Sequence, residues 1–182
     1  MATEKRGSSV YVGRTSDEVR VLDLNGVLDR RPRLLDAMKG AISRVVASGR
    51  DLIEETVTLG YKIGEDLVVE LEEGDEVFWA QLSKSRNRLP FVRGVVGENS
   101  KRITFVLLRL RPRRDDEPPT YKVLVAYVGD KAMRSPDDRY FMSHPGERAA
   151  ALDFWSRHAL TAGGANRQGL IEEGTEIDNC PW

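Results

Sequence analysis

The chain has 182 residues, 40% of them hydrophobic, which is enough for one domain with a sizeable core. It contains no run of about 18 apolar residues, which excludes a membrane-spanning helix, and its first residues lack the apolar stretch of a secretory signal. The single cysteine, Cys180, excludes an intrachain disulfide framework and a zinc site built on cysteines. We therefore expect a cytoplasmic protein with no membrane partner.

Charge is distributed unevenly along the chain. The formal net charge is −1, but residues 84–114 hold ten basic residues and one acid, Glu98. This basic segment, residues 84–114, therefore carries +9, and the rest of the chain carries −10. A local positive potential concentrates polyanions even when the whole molecule is nearly neutral. The asymmetry indicates an anionic partner, RNA above all.

The N-terminal part begins with a polar arm, residues 1–28, and continues with two predicted helices. Pro32 is typical of a helix start, and apolar residues follow it at helical spacing until Gly49. Residues 51–59 carry further apolar side chains and end before Gly60, which predicts a second, shorter helix.

Four strands are predicted next. Residues 67–71 and 77–82 flank a Glu-Gly-Asp turn, which predicts a β-hairpin. Residues 103–110 and 121–128 flank a proline-rich, charged connector, which predicts an exposed loop between antiparallel strands. Residues 121–128 are apolar on both faces, which favours a central strand over an edge strand.

The C-terminal part is predicted to hold one helix and a tail. Helical spacing returns over residues 149–160, and residues 162–182 form an acidic tail that we expect to be weakly ordered. The predicted fold is therefore a single α+β domain over residues 29–161. It has two N-terminal helices, an antiparallel sheet of at least four strands and a C-terminal helix, with one face of the sheet left free for a ligand.

Several kinds of chemistry are excluded by missing motifs. The chain has no G-x-x-x-x-G-K-[ST] loop, no G-x-G-x-x-G after a strand and no G-x-S-x-G elbow. Its two histidines, His144 and His158, do not have the spacing of a metal site. We expect no metal and no cofactor. Metal-free cleavage of RNA remains open, because it needs only a base, an acid and cations around the phosphate.

The basic segment supplies the candidate phosphate ligands. Lys84, Arg86 and Arg88 alternate along the chain after a strand, so an extended backbone places them on one face. Arginine and lysine at such spacing bind successive phosphates. A solvated loop that balances the acidic residues 65–76 is the alternative interpretation. The further candidate substrate-binding residues of the segment are Arg93, Lys101, Arg102, Arg109 and Arg111.

Two residues outside the segment are candidates for acid and base. His158 lies among bulky apolar residues near the end of the last predicted helix, with Asp153 and Arg157 nearby in the sequence. Tyr127, in the last predicted strand, has a hydroxyl that can donate to a phosphate. A purely structural histidine is the alternative for His158, and His144 is interpreted as incidental.

Two fragments, Tyr127-Val-Gly and Phe154-Trp-Ser-Arg-His-Ala-Leu, follow an Arg86-x-Arg88 turn and a Phe91-Val pair. In this combination the chain resembles the bacterial toxin-like, metal-free ribonucleases of the barnase–EndoU–colicin–RelE group. The resemblance covers about residues 67–160.

The resemblance implies a cytosolic endoribonuclease, a hydrolase of the toxin or toxin–antitoxin type, with its active surface on the sheet. His158, Arg86, Arg88 and Tyr127 are the residues with counterparts and are the predicted catalytic residues. Since only one histidine lies in a motif, the resemblance implies that an arginine or a tyrosine is the second catalytic group.

Three functions remain open at this point. The first is RNA cleavage over the basic strands, with His158 as base or acid. The second is a non-catalytic nucleic-acid-binding module, in which the same arginines bind phosphate only. The third is a basic docking surface for an acidic protein, such as an antitoxin or immunity-type partner, or for the chain's own acidic tail. The role of Cys180 is left open.

Overall fold

In the computed structural model, the residues described are 9–12, 19–22, 32–45, 50–82, 87–111, 120–162 and 171–182. Backbone contacts divide the chain into two compact units. Unit 1 consists of Met1–Gly64 and Asn99–Lys131, and unit 2 consists of Glu65–Glu98 and Ala132–Trp182. Each unit therefore draws on two separate stretches of sequence.

The elements of both units are numbered here in chain order. They are β1 (Ser9–Val12), β2 (Val19–Leu22), α1 (Pro32–Ile42), β3 (Leu52–Thr58), β4 (Gly64–Glu65), β5 (Val68–Glu70), β6 (Val77–Gln81), β7 (Arg88–Val92), β8 (Asn99–Ser100), β9 (Arg102–Arg109), β10 (Thr120–Val128), α2 (Tyr140–Ser143), α3 (Arg148–Arg157) and β11 (His158–Thr161). A 3-10 turn, Pro145–Glu147, joins α2 to α3. The mixed α+β class, with antiparallel strands and a C-terminal helix, is confirmed.

Unit 1 contains a sheet in the order β1-β2-β10-β9-β3. Its described strands pair antiparallel except for β10 and β2, which are parallel. The predicted strands at residues 103–110 and 121–128 are therefore confirmed as the antiparallel pair β9 and β10. β10 lies inside the sheet, as expected of a strand that is apolar on both faces.

The prediction of a second N-terminal helix is wrong, because residues 52–58 form strand β3 at the edge of this sheet. The segment is rich in β-branched residues, which lose side-chain freedom in a helix and pack well on a pleated surface. Ile53 and Val57 are buried, four residues apart. Such a spacing fits a strand face as well as a helix face, which explains the error.

Helix α1 supplies the cover for one face of the unit 1 sheet. It begins at Pro32, whose fixed φ suits the first helical position, and it buries Leu34, Met38 and Ile42 on one side. These side chains pack against residues of β3, β9 and β10, among which Phe105 and Leu107 are almost fully buried. Burying each such large apolar side chain contributes about 1.5–3 kcal/mol.

Unit 2 contains a sheet in the order β5-β11-β7-β6. The predicted hairpin of residues 67–71 and 77–82 is wrong, because β5 pairs with β11 and β6 pairs with β7. The Glu-Gly-Asp turn is present, with Gly74 at a φ of 96°. Strand β11, which lies between β5 and β7, comes from the stretch that was predicted to be the end of the last helix.

The late helix α3 ends before His158, whose backbone is extended (φ −132°, ψ 152°) and opens β11. The helix buries Ala151 and Trp155, and the Trp155 indole N–H donates to the Arg134 carbonyl at 3.1 Å. Among the helices of the described residues, none combines the length and the apolar character needed to cross a membrane.

The two glycines Gly97 and Gly40 give opposite predictions for a substitution to alanine. At Gly97, a Cβ would overlap the carbonyl oxygen of Asp66, so Gly97→Ala should lower the free energy of unfolding by about 1–3 kcal/mol. At Gly40, inside α1, nothing lies within 4 Å of an added Cβ, so Gly40→Ala should raise it by about 0.5–1 kcal/mol. Urea unfolding of both variants checks these predictions. An unchanged free energy of unfolding in Gly97→Ala would contradict the close approach of Gly97 to the Asp66 carbonyl oxygen.

Candidate nucleic-acid interface

The basic segment is divided between the two units. Lys84 and Arg86 lie outside the residues that the structure describes. Arg88 and Arg93 belong to unit 2, and the candidates from Lys101 onward belong to unit 1. The segment therefore does not form one continuous element, and each cation has to be judged by its own surroundings.

Arg93, directly after β7, contacts three side chains. Its guanidinium lies 3.0 Å from the Glu176 carboxylate and 3.6 Å from the Glu76 carboxylate. The same group lies over the Phe78 ring, with 4.1 Å between Cζ and the ring centroid. Arginine stacks on aromatic rings and pairs with carboxylates at the same time, which orients its charge. In this structure the charge of Arg93 is therefore neutralised by acids of its own unit.

Arg88, the first residue of β7, is half-buried and held mainly through its backbone. The Ser135 hydroxyl donates to its carbonyl at 2.8 Å, and its N–H donates to the Asp137 carboxylate at 3.4 Å. Its side-chain Nε is buried and has no hydrogen-bond partner among the described residues. An unpaired buried donor costs about 1–3 kcal/mol, so an anion that reached this group would be stabilised.

Arg109, the last residue of β9, lies beside the core of unit 1. Arg109 pairs directly with Tyr121 across β9 and β10, and Tyr121 belongs to the core beneath α1. Residues directly opposite each other in a sheet share a face, so Arg109 lies at the end of the helix-covered face. Arg111, two residues on, is exposed just beyond the strand.

Burial raises the pKa of the Tyr121 hydroxyl above its ordinary value of 10.0. The positive charge of Arg109 acts in the opposite direction, and the negative charge of Asp51 adds to the increase. The neutral hydroxyl donates to the Arg50 carbonyl at 2.9 Å. Tyr121 is therefore a buried hydrogen-bond donor of the core.

Lys101 and Arg102 lie next to each other at the start of β9 but differ in environment. Arg102 is paired with Asp130 at 3.0 Å. The Lys101 side chain is exposed and makes no ion pair within the described part of the chain, and the same is true of Arg111. Lys101 and Arg111 are thus exposed candidate cations that make no ion pair among the described residues.

His158 lies directly after α3, at the start of β11. Its ring is stacked on Phe154, with centroids 4.2 Å apart and an interplanar angle of 6°. Its Nδ1 lies 2.8 Å from the Phe154 carbonyl oxygen, one of the orphan carbonyls of the helix end. The nearby pair that was expected to assist it, Asp153 and Arg157, is joined in an ion pair of its own.

His144 repeats this arrangement at the end of α2. Its ring is stacked on Tyr140 at 4.1 Å, and its Nδ1 lies 3.1 Å from the Tyr140 carbonyl oxygen. In both cases an aromatic residue precedes the histidine by four positions. The shared geometry supports a capping role for His158, which was the alternative that the sequence left open.

Tyr127, the fourth predicted catalytic residue, is buried in β10 of unit 1. It pairs with Thr104, which is itself buried and bonded to the Gly129 carbonyl at 2.8 Å. Arg88 and His158 belong to unit 2. The predicted catalytic residues therefore do not all belong to one unit.

Sequence reasoning missed the polar turn at residues 134–138. Hydrogen bonds connect this turn to the start of β7. Ser135 and Asp137 bond to the Arg88 backbone, and the Asn87 amide donates to the Asp138 carboxylate at 3.3 Å. Ser-Pro-Asp-Asp is a typical turn signal and was available in the sequence. Within the described residues, no group of three His, Cys, Asp or Glu side chains is placed to hold a metal ion.

Comparison with known proteins finds no family model, no curated protein and no solved structure that matches the chain. The resemblance to metal-free toxin ribonucleases therefore stays a prediction from short motifs.

The raised pKa of Tyr121 predicts a pH dependence of stability. The folded state holds the Tyr121 hydroxyl proton more tightly than the unfolded state does. The resulting contribution of Tyr121 to folding stability is fully present below about pH 10 and is lost as the pH rises through the folded-state pKa. Tyr121→Phe should flatten this alkaline decline and cost about 1 kcal/mol at pH 7 through the lost hydrogen bond. Tyr61→Phe, at an exposed tyrosine, is the control. Parallel alkaline declines in all three proteins, measured by urea unfolding between pH 8 and pH 11, would contradict the assignment.

Proposed function

We propose that this protein binds single-stranded RNA through its basic segment and does not cleave it. The observation that carries the proposal is the concentration of +9 within residues 84–114 of a chain whose net charge is −1. Contacts between cations and phosphates supply most of the affinity of a non-specific nucleic-acid-binding protein. As part of the proposal, the protein works in the cytoplasm, where RNA is present.

Two such candidate contacts lie at the opposite ends of strand β9. Lys101 precedes it and Arg111 follows it, and both side chains are exposed. At about 3.4 Å per residue, the two cations lie roughly 34 Å apart along the strand direction, which suits an extended polyanion better than a small anion. Lys84 and Arg86 are proposed as further phosphate contacts on the strength of the sequence alone.

The surroundings of the predicted catalytic groups favour binding over cleavage. General acid–base cleavage requires a base and an acid within hydrogen-bond reach of the same phosphate. One ring nitrogen of His158 faces the Phe154 carbonyl, and the Tyr127 side chain is buried in β10. A toxin-type ribonuclease is therefore the outcome that the experiment has to exclude.

The test combines RNA integrity with RNA affinity. Purified protein is incubated with a mixed RNA pool in EDTA, and affinity for a labelled oligouridylate is measured by fluorescence anisotropy. RNA should stay intact. Since each exposed charge contact is worth about 0.2–1 kcal/mol, Lys101→Ala combined with Arg111→Ala should weaken binding by about 2- to 30-fold.

The matched control is Arg33→Ala combined with Lys62→Ala, which removes one arginine and one lysine from exposed positions of the same unit. An equal loss of affinity in the control would contradict RNA contacts at Lys101 and Arg111. Cleavage that persists in EDTA and disappears in a His158→Ala variant would establish the ribonuclease instead.

A further inference from the structure

The C-terminal segment, residues 171–182, lies along the outer edge of β6. Trp79 and Ile177 exchange both of their backbone hydrogen bonds, at 2.9 and 2.8 Å, as in an antiparallel ladder. A second bridge joins Leu82 to Ile171. Trp79 and Leu82 are three positions apart, whereas Ile171 and Ile177 are six positions apart, so the segment makes two antiparallel bridges with a turn between them.

The turn between these bridges is also anchored to β6. The Glu172 N–H donates to the Gln81 carbonyl at 2.8 Å, and the Gln81 N–H donates to the Thr175 hydroxyl at 3.1 Å. The pairing thus fixes the register of the segment. Because the register is fixed, the position of Glu176, next to Ile177, is fixed as well.

Glu176 meets Arg93 in this register, with 3.0 Å between carboxylate oxygen and guanidinium nitrogen. Arg93 is a member of the basic segment, and its guanidinium is held in place from beneath by the Phe78 ring. A carboxylate and a phosphate present similar oxygen pairs to a guanidinium. The C-terminal segment therefore places a negative group where a phosphate oxygen would bind.

We infer that the C-terminal segment competes with RNA for Arg93. When Glu176 is paired with Arg93, the arginine does not contribute to the phosphate-binding surface; when a phosphate takes the guanidinium, the pair is broken. The inference rests on the proposed RNA binding and adds a regulation to it. The acidic C-terminal segment thereby lowers the affinity of the basic segment for RNA.

Two isosteric variants of the full chain test this. Glu176→Gln removes the closer of the two carboxylate charges that face Arg93, and Glu76 stays in place. Glu173→Gln removes the same charge from an exposed residue of the same segment that makes no ion pair among the described residues. Both variants change the net charge equally. Glu176→Gln should bind a labelled oligouridylate about two- to fivefold more tightly than Glu173→Gln at low salt.

A third substitution locates the effect. In an Arg93→Ala background, Glu176→Gln and Glu173→Gln should bind alike, because a coupling between two groups disappears when one of them is removed. Equal affinities of the two variants in the presence of Arg93, with RNA binding intact, would overturn the competition and leave the RNA-binding proposal standing. Absence of RNA binding in every protein would overturn both proposals.

Discussion

The balance between basic and acidic side chains within each unit is the constraint on which the functional interpretation depends. Arg93 is neutralised by Glu76 and Glu176, and Arg102 is neutralised by Asp130. Exposed ion pairs of this kind contribute little to stability, about 0.2–1 kcal/mol each. In the proposed binding of RNA, these pairs matter more, because they lower the positive potential that the basic segment presents to an anion.

The elements of unit 1 show what local sequence patterns predict well. Helix α1 was predictable because its apolar residues recur at helical spacing after Pro32. Strands β9 and β10 were predictable because long apolar runs rich in β-branched residues flank a proline-rich connector. In both cases the residue pattern lies within the element itself. The element can therefore be predicted without knowing which distant segments pack against it.

The errors arose where the pairing partner is distant in sequence. The turn at Gly74 suggested a hairpin, but the neighbour of β5 is β11, almost ninety residues further along the chain. Strand β11 was itself hidden at the end of a helical pattern, since Ala159 and Leu160 continue the apolar stripe of α3. Residues 52–58 were misassigned because buried positions four apart suit both a helix and a strand.

The sequence identified the basic residues of the candidate site but not their arrangement in space. A charge count identifies the basic segment but not which acids face it, so the pairing of Arg93 with Glu176 was not predictable. Ile171 and Ile177 are the only hint of strand pairing in a segment whose acidic composition suggested weak order. A histidine beside charged residues and a histidine that caps a helix have the same local sequence, so the sequence alone did not decide between the two interpretations of His158.

The salt dependence of RNA affinity tests the central claim most directly. If phosphate contacts by Lys101, Arg111 and further cations of the basic segment hold the RNA, the logarithm of the binding constant should fall linearly with the logarithm of salt concentration. For single strands, each contact contributes about −0.7 to the slope, so a slope of about −1.4 or steeper is expected. An affinity that does not change between low and physiological salt would contradict the account.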